Sequence, residues 1–390
     1  MQARKPVSLF LLSLTLALAN AAWAATPEYR VTIVGPRDSF ATDINNAGAV
    51  VGFVPRSPGS DAFRAFVNRG KGIVYLDRLG RSSIAVAIND KGVVLGNWTD
   101  ASGLQRGFLY CHGRQRDIGG IGSGLTNYTD INNAGYATAF ATVTPFGNPR
   151  GFLRAPNGTL RDIGSLPADP QGTQAYALNN RNQITGQSGL FIPPNPPLRA
   201  FIWTKGVMRD LGDFGGAPNS GDAINDRGQV AGTAELPFDI HQKAAFLYTH
   251  GRLIKLDDRP DNVPQFTTST GINNRGHVVG TSDRLSGFIY RGRRMESLNA
   301  LIDPRLGWDI HAPQAINDAG QIAANATRNG VQYAVRLDLI RKSAESAPQV
   351  DENDHEAGPI VRPLSQQEAE ADAKAEAQAQ AREVAQPVRQ

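Results

Sequence analysis

The chain holds one cysteine, three methionines and six histidines in 390 residues. A single Cys111 cannot form an intrachain disulfide, so whatever fold is present must hold by packing and hydrogen bonding alone. Cys111 stands in a strand-like stretch, "RGFLYCHGR", and reads as a half-buried small side chain, not a reactive thiol. The histidines, at 112, 241, 250, 277, 311 and 355, show none of the spacings of metal ligands. There is no G-x-S-x-G elbow. The one phosphate-loop look-alike, "GGIGSG" at Gly119–Gly124, has no helix after it. The Asp box of sialidases and the tryptophan-docking repeat of quinoproteins are absent as well. Aromatic residues are missing from Arg341 to Gln390, where Ala, Glu, Gln, Asp, Lys and Arg dominate. Such a segment cannot bury enough apolar surface to offset its ordering entropy, which predicts a disordered tail over 341–390.

Long apolar runs are confined to the beginning. Arg4 and Lys5 precede thirteen mostly apolar residues, Val7–Ala19, and Ala22-Trp23-Ala24 supplies a small-x-small cleavage site. The pattern is that of a signal peptide, residues 1–24, and the run is shorter than a bilayer span. Export to the periplasm or the extracellular space is the expectation, with no transmembrane span after cleavage.

The net charge of +4 conceals a split. The tail has six Lys/Arg against ten Asp/Glu, and the leader adds two cations, leaving +6 for residues 25–340. That mild excess permits contact with an anionic surface but lacks the clustered basic stripe of a nucleic-acid binder.

What the chain does have is a repeat. "DINNAGAVVG" (Asp43–Gly52) returns as "AINDKGVVLG" (87–96), "DINNAGYATA" (130–139), "ALNNRNQITG" (177–186), "AINDRGQVAG" (223–232), "GINNRGHVVG" (271–280) and "AINDAGQIAA" (315–324). The Ile or Leu before the Asn recurs at steps of 44, 43, 47, 46, 48 and 44 residues. Each copy is followed by an aromatic box, such as "RAFV" at Arg64 or "RGFL" at Arg106 and Arg150. A third box of the form "RDIG" comes next, six times in all. The seventh third box stands at the opposite end of the chain, as "YRVTIVG" at Tyr29–Gly35. All three boxes are short, rich in β-branched and aromatic residues and bounded by turn formers, with no helical period between them. With the lead-in before each Asn pair this makes four strands per repeat. The fold class is therefore all-β, a seven-bladed β-propeller over residues 25–340. Pairing of the N-terminal strand with the last repeat closes the ring and removes the exposed edges of an open array. An open β-solenoid is the architectural alternative.

"INNAGAVVG", "RAFIW" and "RDLGDFGG" resemble the HAF-type extracellular repeat of secreted bacterial proteins, named for a His-Ala-Phe box, over about residues 29–340. The family His is replaced by Arg64, Arg106, Arg150, Arg199 or Lys243, and is lost in the last two repeats. The resemblance implies the fold and export and brings no activity or ligand with it.

Three groups of residues are candidates for function. The Asn-rich box, with its Asp, Asn and Gly, is either an oxygen-rich calcium loop or a turn. Asp43 and Asp130 become Ala87, Ala177, Ala223, Gly271 and Ala315 elsewhere, too few carboxylates for a calcium site per blade. A type I turn followed by a left-handed residue suits the box better. The first turn position is then Asn45, Asn89, Asn132, Asn179, Asn225, Asn273 or Asn317. The left-handed position is Gly48, Gly92, Gly135, Asn182, Gly228, Gly276 or Gly320. The second group is the basic residue of the aromatic box, at Arg64, Arg106, Arg150 and Arg199. It is either a ring of anion- or polysaccharide-binding cations or a set of ion pairs with Asp117, Asp162 and Asp210. The third group lies in the variable connections Thr142–Pro149, Gln187–Leu198 and Ala234–Lys243, where Phe146, Phe191, Phe238 and His241 are ligand-contact candidates. Ordinary loop packing is the competing role for each. The functional expectation is a monomeric binding module for a glycan, an envelope polymer or a protein. It carries no nucleic-acid partner, metal or cofactor. The alternative is a propeller-type hydrolase or lyase with its site on the loop face or in the central channel.

Overall fold

A computed structural model of the chain describes residues 27–144, 147–167, 172–189, 198–237, 239–260 and 262–340. The leader and the tail lie outside these residues, as do Phe146, Phe191 and Phe238. Seven antiparallel sheets of four strands each follow the seven repeats. Blade 1 comprises Phe40–Ile44, Val50–Pro55, Phe63–Asn68 and Ile73–Leu76, paired in that order. The lead-in to each Asn pair forms the first strand, for example Ser82–Ile88 in blade 2 and Thr126–Ile131 in blade 3. The Asn-rich box turns the chain into the second strand, the aromatic box forms the third, and the third box forms the fourth. The chain is a seven-bladed β-propeller.

Blade 7 takes its outer strand from the other end of the chain. Its own strands are Trp308–Ile316, Ile322–Arg328 and Val331–Leu339, and Tyr29–Arg37 adds antiparallel to the last of them. Tyr29 faces Leu339, Val31 faces Leu337 and Ile33 faces Val335. The ring thus closes by hydrogen bonding and packing, as the missing final box and the displaced first one require.

The aromatic box explains how blades adhere. Phe108, fully buried, packs against Val51, Ala65 and Val67 of the preceding blade. Phe201 does the same against Leu153, Phe246 against Ala177 and Ala200, and Phe288 against Ala231 and Ala245. Each wedge removes a large ring from water and contributes about 2 kcal/mol. Phe66 of blade 1 reaches back to Ala323 and Ala334 of blade 7, across the closure.

The glycine that ends most Asn-rich boxes has a steric cause. The first strand of each blade carries a bulge, in blade 4 between Ala175 and Ala177, which swings a carbonyl toward the second strand. A Cβ added at Gly186 would lie 1.9 Å from the Gln174 carbonyl oxygen, and one at Gly52 would lie 2.0 Å from that of Phe40. Replacement Gly186→Ala forces the two backbones apart, and chemical denaturation should show a loss of about 2 kcal/mol. An unchanged midpoint would mean that the approach is not tight.

Candidate functional site

The first strands surround a central channel of about 300 Å³. At one mouth stand the seven Asn turns. Each closes with a bond from the fourth residue's amide to the first residue's carbonyl, as Gly48 N to Asn45 O at 2.9 Å. That fourth residue has positive φ in all seven, from 56° at Asn182 to 84° at Gly135. A left-handed backbone admits Gly freely and Asn tolerably, which accounts for the residue types found there.

The first Asn of each turn does more than shape it. Asn45 Oδ1 accepts from the Ala49 amide within its own turn, at 2.9 Å. Its Nδ2 donates to the carbonyl of Asn89 in the next blade, at 3.0 Å. The relation repeats from Asn89 to Asn132, Asn179, Asn225, Asn273 and Asn317, and Asn317 donates to Asn45 to complete the circle. All seven side chains are 3–5% exposed. Outside this circle runs a second one. The backbone amide of Asn46 donates to Asp90 Oδ1 at 2.8 Å, and the pattern continues through Asn133, Asn180, Asp226, Asn274 and Asp318 back to Asn46. Burial raises the carboxyl pKa of Asp90, but the amide donors of Asn133 and Asn46 outweigh it and hold the value below the usual range.

Deeper in the channel the seven positions differ. Asp43 bridges two blades, accepting from the Ile44 amide and from the Ile88 amide, both at 2.7 Å. Asp130 does likewise with Ile131 and Leu178. Asp222 accepts from the hydroxyls of Ser220, Thr233 and Ser269. Among the described residues no Lys, Arg or His lines the channel. Burial pushes all three carboxyls up, Asp130 and Asp222 to about 6, and only Asp222 feels an opposing cation, Lys243 from outside the wall. Burial and the like charge of Asp130 raise Asp43 to about 8. No group of three or more His, Cys, Asp or Glu side chains among the described residues is arranged to hold a metal ion.

The opposite face collects the variable connections and the basic residues of the aromatic boxes. Arg64 Nε lies 3.0 Å from Asp77, Arg106 2.7 Å from Asp117, and Arg199 3.3 Å from Asp210 and 2.8 Å from Asp213. Arg150 pairs with Asp162. Arg64 also covers the Tyr75 ring and Arg106 the Trp98 ring. The Asp of the third box is thus the partner of the Arg of the second, one blade at a time. Burial opposes ionisation of Asp117, yet bonds from Arg106 and the Gly119 amide keep its pKa low. Between blades 3 and 4 this face opens into a cavity of about 420 Å³. Arg150, Asp162, Asn148, Ser165 and Thr173 line it. His241 belongs by its backbone to the strand Asp239–Thr249, its side chain lying outside the described residues.

No family model matches the chain, and no curated protein matches it. Among solved structures, YCF48 bound to a D1 peptide is similar, with 9% identity over 82% of this chain and 98% of that one, at a TM-score of 0.50. Virginiamycin B lyase from Staphylococcus aureus aligns at 11% identity, 80% and 100% coverage and a TM-score of 0.46. TolB from Acinetobacter baumannii aligns at 13% identity and a TM-score of 0.42, and this chain spans 61% of its length. The first of these likenesses supports the propeller fold, and identities this low carry nothing further.

Two outcomes follow from the channel. Replacement Asn89→Ala leaves the Asn132 carbonyl and the Val93 amide without their buried partner. Denaturant titration should show a loss of about 2–4 kcal/mol, and a loss below about half of one kcal/mol would refute the structural role of the ring. The second outcome concerns pH. Folding raises the pKa of Asp43, Asp130 and Asp222, so the folded protein retains protons that the unfolded chain gives up. Their stabilisation is complete below the ordinary carboxyl value near 4, and is lost as pH climbs through about 6 and then about 8. Thermal unfolding across pH should thus show a decline between about pH 4 and 8, with Asp43→Asn flattening its upper part. A level profile over that window would contradict the assignment.

Proposed function

We propose that this protein is an exported binding module, a monomeric propeller that holds a glycan, an envelope polymer or another protein on its loop face. The observation that carries this reading is the cavity between blades 3 and 4. Its volume falls in the range of small-ligand sites. Its wall offers an arginine, a carboxylate, an amide and the hydroxyls of Thr144 and Ser165, a set suited to the hydroxyl groups of sugars or the backbone of a peptide. Arg150 is ion-paired with Asp162 and keeps 59% of its side chain exposed, so the pair presents a donor and an acceptor side by side at the cavity wall. The leader segment and the HAF-type resemblance support export.

A second reading, a hydrolase or lyase, is favoured by one feature. Asp43, Asp130 and Asp222 come from three different blades into one lumen, with carboxyl groups tuned toward neutral pH, as acid–base catalysis requires. The decisive experiment applies the mature protein to an array of glycans, envelope polymers and peptides. Binding without release of soluble product, weakened about tenfold or more by Arg150→Ala, is the expected result. Turnover abolished by Asp43→Asn would replace the binding reading with the enzymatic one, and unchanged affinity in a folded Arg150→Ala variant would place the ligand elsewhere.

A further inference from the structure

The Asn turns share their face with the hairpins between third and fourth strands, and the charges of this face are arranged unlike those of the other. On the loop face the arginines of the aromatic boxes are neutralised by aspartates of their own blades. On the Asn face Asp338 is taken by Arg336, and Glu28 and Glu296 by Arg291. Lys91, Arg181 and Arg227 occupy the third position of the Asn turns in blades 2, 4 and 5, and Lys205, Arg252 and Arg293 occupy neighbouring hairpins in blades 4, 5 and 6. All six are exposed, and none has a carboxylate partner among the described residues. The modest positive excess of the chain is therefore concentrated on one face, because pairing on the other face removes its contribution.

The cations are also held in place. Adjacent Asn turns are bonded directly, Asn180 N to Asp226 Oδ1 at 2.8 Å. A Cβ built on Gly228 would lie 3.2 Å from Arg181 Nη2, so that guanidinium leans onto the turn that carries Arg227. Arg181 thus leans toward the turn of the neighbouring blade that carries Arg227, with Lys205 and Arg252 on the hairpins beside them.

We propose that this face binds an extended envelope polymer carrying repeated carboxylate or phosphate groups, laid along the rim of blades 4 to 6. An isolated anion would meet one or two exposed cations, each worth little in water. It would also be repelled by Asp90, Asp226 and Asp318 at the channel mouth. A chain of repeated anionic groups can follow the rim, engage several cations and release its condensed counterions. The Asn-turn positions beside the cations are Gly, Asn or Asp, without the large apolar anchors by which a peripheral surface enters a bilayer.

The test measures binding of the full-length protein to polygalacturonate, which presents carboxylates, and to poly(glycerol phosphate), which presents phosphates. Dextran serves as the uncharged control and vesicles rich in phosphatidylglycerol as the membrane arm. We expect binding to at least one polyanion, weakening linearly on a log–log plot against salt. The variant Arg181→Ala/Lys205→Ala/Arg227→Ala/Arg252→Ala should bind about tenfold or more weakly with a shallower slope. Arg305→Ala, which removes one exposed cation from the loop face, should not change it. Binding to neither polymer, equal affinity in the fourfold variant, or binding to vesicles alone would overturn the proposal. Polymer binding lost in a loop-face variant and kept in the fourfold variant would also overturn it, while leaving the loop-face reading in force.

Discussion

The side-chain ring of Asn45, Asn89, Asn132, Asn179, Asn225, Asn273 and Asn317 is the constraint from which the rest of the architecture can be reasoned. Each carboxamide has two obligations in opposite directions, accepting from an amide of its own turn and donating to a carbonyl of the next blade. Asp could accept but not donate, Gln would overreach by a methylene, and Ser would fall short. This double role demands Asn at every copy, which composition alone could not explain. The bonds lie in a buried, low-dielectric setting where an unmet donor or acceptor is costly. They also fix the distance between first strands, and with it the gap that each Phe wedge fills behind. The bond from Asn317 to Asn45 spans the closure, so the turn ring and the paired terminal strands secure the same joint at the axis and at the rim.

Much of the fold was legible because it is written locally and then repeated. Alternating β-branched and aromatic runs, turn residues at fixed places and a displaced third box were enough to give four strands, seven blades and a non-covalent closure. The left-handed position of the turn was readable from the occurrence of Gly six times and Asn182 once. The ring itself was not readable. Six of its bonds join residues 43–48 apart along the chain and the seventh joins residues 272 apart, and in a single repeat an Asn that shapes its own turn looks the same as one that also holds a neighbour. The pairing of Arg106 with Asp117, Arg150 with Asp162 and Arg199 with Asp210 was one of two roles open to those arginines, because neither strand order nor register was available to choose. Arg64 with Asp77 belongs to the same set, and the variant spelling "LDRLG" concealed it. Phe146, Phe191 and Phe238 stand out only by their place in variable connections, a signal that says where a ligand could sit without saying which atom meets it.

The channel carboxylates separate what the ring needs from what it merely tolerates. Five blades place Ala or Gly where blades 1 and 3 place Asp43 and Asp130, so a carboxyl there is not required to close the propeller. Both side chains cap two backbone amides of adjoining blades, which repays part of the cost of bringing a carboxylate into a wall without cations. The repayment is incomplete, since their pKa values stay raised. A feature that costs stability and is absent from most copies of a repeat is better explained by a task than by the scaffold.

The two faces differ in how their backbone is held. On the Asn face short turns of uniform length are locked to one another, so side chains at the third turn position are carried at fixed intervals but cannot enclose anything. They suit an extended partner that meets many weak contacts in sequence. On the loop face the connections differ in length from blade to blade, and the Arg–Asp pairs stiffen the strand ends from which they spring. This arrangement can form a concave site, and it does so between blades 3 and 4. The neutralisation that stiffens one face is the reason the other carries the charge. A partner chosen by shape and a partner chosen by charge would then occupy opposite ends of one channel without competing for the same residues.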